Sequence, residues 1–246
     1  MRLDQYLVLH GYAKSRSQAS DLIQRGLVEV DGSIITKQGI DVLNPSIKML
    51  EISRFVSRSG EKLMGAILDF KIDMRDKIAI DIGSSTGGFT DCALQHGVKF
   101  VYAYDVGHEQ MDQSLRKDLR IELHEGTNIL DVSLPDSDFI FIDVSFTSIK
   151  PIMKHIQGYK GEIIALIKPQ FEAGNIHFKQ GVLKDLKKHE IILYDVLNEV
   201  RNLGFSLYGL KKSALKGKTG NQEYVLYIKD KKNLESIDRM VRDALC

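Results

Sequence analysis

The spacing of apolar residues predicts a small helix–helix–hairpin unit at the start of the chain. In RLDQYLVLHGY and SRSQASDLIQRG, apolar side chains recur with the period of an α-helix, and the second segment starts at Ser15, a typical N-cap, and stops at Gly26. LVEVDGSIIT then alternates apolar and polar residues around Asp31-Gly32, which favours a tight hairpin. After Asn44-Pro45, IKMLEI is a further strand candidate.

From residue 77 onward, short apolar runs alternate with amphipathic stretches. We expect strands at 78–82, 100–105, 138–143 and 161–169, and helices at 88–96, 148–156 and 184–203. FSLYGLKKSAL and QEYVLYIK have no helix between them and predict an antiparallel pair at a sheet edge, before a closing helix in ESIDRMVRDAL. The pattern predicts an α/β fold: a Rossmann-like sheet, mostly parallel with an antiparallel edge strand, preceded by a small α+β module.

A polar connector, SRFVSRSG, joins the two units. It contains Phe55 and Val56, so we expect it to pack against its neighbours rather than to extend into solvent. The amphipathic helix EKLMGAILDF follows it. We therefore divide the chain into a module at 1–52, a linker at 53–60 and a larger domain at 61–246.

Composition narrows the class of protein. The chain has 246 residues, of which 43% are hydrophobic and 27% charged, as expected of a soluble globular protein. Its formal net charge of +1 means that any surface for nucleic acid must be local. Neither cysteine has metal-ligand or redox spacing, and the N-terminus does not resemble a signal peptide. We expect a cytoplasmic location with reduced thiols.

The glycine-rich stretch IDIGSSTGGFTDC lies between an expected strand and helix, where sheets of this kind bind ligands. Against the dinucleotide pattern G-x-G-x-x-G, Ser85 replaces the glycine that lets the backbone approach a pyrophosphate. Against the phosphate loop of ATPases, Phe89 stands where a lysine is required. S-adenosylmethionine, which carries an adenosine but no phosphate, fits better. A structural turn that binds no ligand stays an alternative.

Two aspartates flank this loop. Asp81 precedes the first glycine and can accept a hydrogen bond from the amino group of a bound methionine. Asp105 ends the next strand, 22 residues after Gly83, where a carboxylate can bind both ribose hydroxyls. Asp105 does not separate NAD from S-adenosylmethionine, because both contain that ribose.

Three charged residues stand at or beside the ends of later strands, namely Asp143, Lys168 and Glu223. Lys62, on the first turn of the helix before the sheet, is a fourth candidate for the same crevice. Three of the four have an ordinary interpretation as well: Asp143 as a helix cap, and Lys62 and Lys168 as solvent-exposed lysines.

The N-terminal pattern R-L-D-x-x-L, then S-R-x-x-A-x-x-L-I-x-x-G-x-V-x-V-D-G, resembles the small RNA-binding module shared by a small-subunit ribosomal protein, pseudouridine synthases and tyrosyl-tRNA synthetases. The resemblance covers residues 1 to about 50 and implies that Arg2, Arg16 and Lys37 face structured RNA. Solvated surface charge is the alternative. Phosphate contacts of this kind give affinity but little sequence choice. We add further basic residues to the expected RNA surface: Lys14, Arg25, Lys184, Lys187, Lys188, Lys211, Lys212, Lys216 and Lys218.

Over nearly its whole length the chain resembles the TlyA (hemolysin A) family of ribosomal RNA 2′-O-ribose methyltransferases, which have an FtsJ-type catalytic domain. The motifs are V-S-R-x-G-x-K-L, D-I-G-S-S-T-G-G-F-T-D, D-V-G, D-V-S-F, K-P-Q-F-E-A-G and K-G-x-x-G-N-x-E. The resemblance places the catalytic set on Lys62, Asp143, Lys168 and Glu223. The expected cofactor-binding residues are Asp81, Gly83, Ser84, Ser85, Thr86, Gly87, Gly88, Phe89, Asp105, Val106, Asn128 and Asp143. Ser59 and Gly126 depart from the family pattern.

The resemblance implies S-adenosylmethionine-dependent methylation of a cytidine 2′-hydroxyl in ribosomal RNA, with large-subunit RNA favoured and small-subunit RNA open. Lys168 is expected to act as base or to orient the hydroxyl, and Lys62 to stabilise the developing alkoxide. Burial and a second cation favour a neutral Lys168, whereas the carboxylates favour its ammonium form, so its protonation state stays open. No metal or membrane is required. A non-catalytic RNA- or ribosome-binding protein and a membrane-lytic hemolysin are the alternatives, while Ser85 disfavours an NAD-dependent dehydrogenase.

Overall fold

The computed structural model describes residues 1–13, 15–50, 54–174, 182–230 and 236–246. The first unit has two helices and a three-stranded antiparallel sheet with the strand order β2-β1-β3. Its elements are α1 (Leu3–Leu9), α2 (Arg16–Gln24), β1 (Val28–Val30), β2 (Ser33–Ile35) and β3 (Ile47–Met49). The Ser15 hydroxyl accepts a hydrogen bond from the Gln18 amide, as expected of an N-cap. Asp31 and Gly32 both have positive φ angles and form the predicted hairpin turn.

The second unit is a seven-stranded sheet with the order β6-β5-β4-β7-β8-β10-β9. Neighbours from β6 to β8 are parallel, whereas β10 runs antiparallel to both β8 and β9. The strands are β4 (Ile78–Ile82), β5 (Phe100–Asp105), β6 (Ile121–Glu125), β7 (Phe139–Ile142), β8 (Glu162–Ile167), β9 (Leu207–Lys212) and β10 (Tyr224–Ile228). The helices are α3 (Ser59–Phe70), α4 (Gly88–Gln95), α5 (Lys150–His155), α6 (Pro169–Glu172), α7 (Leu186–Asn202) and α8 (Ile237–Leu245), with a 3₁₀ turn at Ile129–Asp131.

Helices cover both faces of this sheet, which confirms the predicted α/β fold. One apolar cluster joins the sheet to α3 and α4, and another joins its opposite face to α5, α7 and α8. The central strands are buried on both faces and therefore read as continuous apolar runs. The sequence did not predict β6, because IELHE is a short edge strand that alternates apolar with charged residues.

The connector between the units belongs to the packed core. Phe55 and Val56 are buried, and the Val56 amide donates a 2.7 Å hydrogen bond to Asp91 on α4. The side-chain amide of Gln18 on α2 donates to the Phe55 carbonyl at 3.1 Å. Helix α3 begins at Ser59, so the end of the expected linker is already helical.

Ion pairs also tie the N-terminal unit to α3 and its flank. Arg58 Nη1 lies 3.0 Å from Asp21 of α2, and its Nη2 donates to the Lys216 carbonyl at 2.5 Å. Arg25 Nη1 lies 3.2 Å from Glu61. These contacts place α2 beside the start of α3. Among the helices described, none combines the length and the apolar character that a membrane span needs.

We expect Phe55→Ala to lower the free energy of unfolding by about 3 kcal/mol, because it leaves a cavity under the connector. Equilibrium urea unfolding measures the change. Leu68→Ala, at an exposed position of α3, is the control and is expected to change stability by about 0.5 kcal/mol or less. Equal small effects of both substitutions would show that the connector is not part of the core.

Candidate functional site

The glycine-rich turn between β4 and α4 brings two distant parts of the chain into contact with its backbone. Gly83 has a φ of +83°, and a Cβ there would lie 2.9 Å from the carbonyl oxygen of Asp143, at the end of β7. A Cβ on Gly88 would overlap the hydroxyls of Ser57 and Ser59 at the start of α3. Only glycine permits both approaches, so the turn adjoins the ends of β7 and α3.

Asp81 is completely buried below this turn. Its Oδ2 accepts hydrogen bonds from the Thr90 amide at 3.1 Å and the Thr90 hydroxyl at 2.6 Å. Its Oδ1 has no hydrogen-bond partner among the described residues, and neither has the buried Ser84 hydroxyl. Burial raises the pKa of Asp81 to about 7, with further contributions from the negative charges of Asp143 and Asp105, against the lowering effect of the Thr90 hydrogen bonds.

The carboxylate of Asp105 links the turn to the loop after β5. Its Oδ2 accepts from the Ser85 amide at 2.8 Å, and its Oδ1 accepts from the Gly107 amide at 2.7 Å. Val106 between them is exposed. Asn128 caps the 3₁₀ turn after β6 by accepting from the Leu130 amide at 3.1 Å. Three of the expected cofactor-binding residues thus stand at the carboxyl ends of β5 and β6, next to the turn.

The sequence did not reveal what covers this turn. Gly87 lies against Met111 and Leu115 from the loop after β5. Glu125 holds that loop, because it accepts hydrogen bonds from the Gln110 and Met111 amides and pairs with the Arg116 guanidinium at 2.5 Å. The Arg116 hydrogen bond, followed by those of the loop amides, lowers the pKa of Glu125 to about 2.

Phe89 was expected to bind cofactor, but its ring is buried in the core. The ring packs edge-on against Phe141 at a centroid distance of 6.2 Å. Only its backbone can face the turn. At the departure from the family pattern, Gly126 donates its amide to the Gly107 carbonyl at 2.9 Å, and the His108 ring lies in the space that a side chain would need.

Lys168, which is buried, and Asp143, which is partly buried, form an ion pair beside the turn. Lys168 Nζ lies 2.6 Å from Asp143 Oδ1 and donates to the Ser145 hydroxyl at 3.0 Å. The interpretation of Lys168 as a surface lysine is therefore wrong. Ser145 is a contact that sequence reasoning missed, although it stands in the D-V-S-F motif. Phe146, the next residue, has a φ of +65° and exposes 91% of its surface near Phe171.

Lys62 and Glu223 form a second buried pair, with 2.5 Å between Nζ and Oε2. The interpretation of Lys62 as a solvent-exposed lysine is also wrong. Tyr224 on β10 is opposite Ile167 on β8, so Glu223 and Lys168 are the next positions along the same two strands. Neighbouring strands lie about 5 Å apart, which brings the two ion pairs side by side at the carboxyl ends of β7 and β8.

The expected basic residues fall into three groups. Arg2, Arg16 and Lys37 are exposed on the N-terminal unit, whereas Arg25 faces Glu61 and lies at the contact with α3. Of the seven lysines near the site, Lys188 is half-buried and the others are exposed. The others are Lys184, Lys187, Lys211, Lys212, Lys216 and Lys218. The Asn221 side chain accepts from the Leu183 amide at 2.8 Å, which ties the lysines at the start of α7 to the Glu223 end of the sheet. Lys14 lies outside the described residues.

Comparisons with known proteins identify the family of each unit. Residues 55–230 match the model of the FtsJ-like methyltransferase family, and residues 1–43 match the S4 domain. The chain is 40% identical over 240 residues to Hemolysin A of Brachyspira hyodysenteriae, covering 92% of this chain and 99% of that protein. It is 33% identical over 256 residues to the 16S/23S rRNA (cytidine-2'-O)-methyltransferase TlyA of Mycobacterium tuberculosis, covering 99% and 95%. A solved structure of a hemolysin-named protein from Streptococcus thermophilus has a TM-score of 0.78 at 35% identity, covering 99% of this chain and 95% of that one.

The raised pKa of Asp81 predicts how stability depends on pH. In the unfolded chain this carboxyl ionises near 3.8 and in the folded protein near 7, so between these values the folded state binds more protons. The free energy of unfolding should therefore fall as the pH rises from about 4 to 7 through this group. Asp81→Asn should flatten that decline and make the protein more stable than wild type at pH 8, as urea unfolding measures.

Asp69→Asn removes an exposed carboxylate from α3 and should leave the decline unchanged. A wild-type decline that persists in Asp81→Asn would assign it to another group.

The buried Lys62–Glu223 pair predicts an asymmetric response to substitution. Glu223→Gln leaves the Lys62 ammonium buried without a counter-charge and should lower the free energy of unfolding by about 3 kcal/mol. The double substitution Lys62→Met/Glu223→Leu should recover most of that stability, because it removes both charges. Asp73→Asn, in a solvent-exposed pair with Arg75, is the control and should change stability far less than Glu223→Gln does. A Glu223→Gln protein as stable as the control would contradict the buried pair.

Proposed function

Because the chain belongs to the FtsJ-like methyltransferase family, we propose that it methylates the 2′-hydroxyl of a cytidine in ribosomal RNA with S-adenosylmethionine as the methyl donor. The name of the relative from Mycobacterium tuberculosis, which matches along nearly the whole length of both chains, supports this reaction. The observation that carries it is the pair of buried lysine–carboxylate contacts beside the glycine-rich turn. Buried ion pairs are costly to form, so a sheet end without chemical function has little reason to contain two.

The residues around the turn fit S-adenosylmethionine better than a nucleotide with phosphates. Asp81, Asp105 and Asp143 lie close enough for the latter two to raise the pKa of Asp81. Lys168 offsets the charge of Asp143, but Asp105 and the ionised form of Asp81 repel a pyrophosphate and attract a ligand that carries an ammonium and a sulfonium. We infer that Asp81 Oδ1, which has no hydrogen-bond partner among the described residues, accepts from that ammonium, and that Asp105 accepts from the ribose hydroxyls. When bound, the cofactor supplies an electrophilic methyl group.

The catalytic role of the chain itself is alignment and control of one proton. An ammonium has three N–H donors; Lys168 directs one of them to the Ser145 hydroxyl and forms an ion pair with Asp143. A further donor can hold the target 2′-oxygen in line with the methyl group and stabilise negative charge on it as the hydroxyl releases its proton to solvent. Lys62 adds a second positive charge from α3, and Glu223 fixes its position. Asp143 and Glu223 therefore position the lysines.

We assign RNA recognition to the N-terminal module and to the lysines that flank the site. Arg58 joins the module to the lysine-rich segment before Glu223, because it contacts both Asp21 of the module and the Lys216 carbonyl. The two can therefore contact one RNA together. The Glu223 carboxylate lies close to the backbone of the same segment, since a Cβ on Gly217 would be 2.5 Å from its Oε1. The division at residues 52 and 61 describes two functions, RNA capture and methyl transfer, on units that pack together. A cytoplasmic location follows from this substrate.

The decisive substitution is Lys168→Met. It should reduce methyl transfer to ribosomal RNA by about 100-fold or more, because the group that aligns and stabilises the 2′-oxygen is lost. Cofactor affinity, measured by calorimetry, should change little. Mapping of ribose methylation in ribosomes from deletion cells, complemented with either protein, identifies the nucleotide and the subunit.

Lys77→Met is the control, since Lys77 lies at the opposite end of β4 and is half exposed. Full methylation by Lys168→Met would reject the catalytic assignment. A wild-type protein that binds RNA but no cofactor would favour the non-catalytic alternative, and lysis of cells or vesicles by the Lys168→Met protein would favour a separate membrane activity.

A further inference from the structure

Two arginines of the N-terminal module share one buried carboxylate. Arg2 donates from Nε to Asp4 Oδ1 at 3.0 Å and from Nη2 to Oδ2 at 3.4 Å. Arg16 donates from Nε at 3.2 Å and from Nη2 at 3.0 Å, both to Oδ2. The Asp4 side chain is only 3% exposed, whereas those of Arg2 and Arg16 are 47% and 56% exposed. A carboxylate hidden from solvent thus holds two guanidinium groups at the surface.

The backbone fixes the positions of all three residues. The Leu3 amide, between Arg2 and Asp4, donates to the Ile40 carbonyl at 2.8 Å, and Arg2 forms a β-bridge with Asp41. Ser15 caps α2 and so sets Arg16 as the first helical residue. The Arg2 guanidinium lies over Gly39, where a Cβ would be 3.6 Å from its carbon. The two arginines therefore need little reordering before they meet a ligand.

We propose that Asp4 is a positioning residue that presents Arg2 and Arg16 as one preorganised site for RNA backbone phosphate. The proposal rests on the RNA-modifying function proposed above and names how the module grips its substrate. Each arginine uses Nε and Nη2 on Asp4, which leaves its Nη1 outside these bonds. The cluster keeps a net positive charge, and planar guanidinium groups suit phosphate oxygens.

This role predicts an effect of opposite sign to simple electrostatics. Removing a negative charge from an RNA-binding face should tighten binding if only total charge matters. If Asp4 acts by orienting the arginines, Asp4→Asn should weaken binding, because the amide offers one acceptor and a weaker hold on two cations. The substitution is nearly isosteric, and thermal unfolding identifies any loss of folded protein.

The experiment measures the affinity of the full-length protein for a fluorescein-labelled RNA hairpin by anisotropy, at several salt concentrations. We expect Asp4→Asn to bind about tenfold more weakly. The slope of log affinity against log salt concentration should become shallower by the equivalent of about one to two phosphate contacts. Asp31→Asn removes the same charge from an exposed turn of the same unit, where asparagine also tolerates the positive φ, and should bind as wild type or slightly more tightly.

Two further variants separate positioning from a merely structural role. Arg16→Lys keeps the charge at an exposed position but loses the paired contact to Asp4, and should also weaken binding. In an Arg2→Ala/Arg16→Ala background, Asp4→Asn should cause no further loss of RNA affinity. Wild-type affinity in both Asp4→Asn and Arg16→Lys would overturn this proposal and leave the proposed function standing. A wild-type protein without RNA affinity would overturn the proposed function, and this site with it.

Discussion

The cost of keeping charge out of water constrains the end of the sheet where the site lies. An isolated buried ion costs several kcal/mol, so Lys62, Asp143, Lys168 and Glu223 are stable only as pairs. Asp143 and Lys168 follow adjacent parallel strands, and β10 must run antiparallel beside β8 to bring Glu223 next to Lys168. Helix α3 must then cross this face so that Lys62 reaches Glu223. The ion pairs therefore join the sheet order to the helix that carries the N-terminal unit.

The position of α3 also connects the proposed RNA-binding module with the proposed catalytic lysines. The residues just before Lys62 contact α2 through Arg58 and Phe55, and they contact α4 through Val56. Helix α4 in turn opens at the glycine-rich turn. A displacement of this connector would affect the module, Lys62 and the turn together, so the short segment has to be packed rather than extended. Its burial gives it that rigidity.

Charge also separates the two substrates proposed for the site. Carboxylates lie around the glycine-rich turn, the proposed seat of a positively charged methyl donor, and lysines and arginines line the surfaces proposed to contact polyanionic RNA. The overall charge of +1 conceals this division, because 33 acidic residues spread along the whole chain offset its 34 lysines and arginines. Local arrangement, rather than net charge, accounts for a nearly neutral protein that acts on RNA.

Local sequence determined the elements and the residue types of the site. Periodicity gave the α/β order, the hairpin at Asp31-Gly32 and the helix that begins after Ser15, because these depend on neighbours a few residues apart. It missed β6, whose IELHE pattern becomes a strand only through pairing with β5. It also could not tell that Lys62 is buried or that its partner is Glu223, since 161 residues separate them. Only the tertiary structure decided which carboxylate meets which lysine, because that choice depends on the order and direction of strands that are distant in sequence.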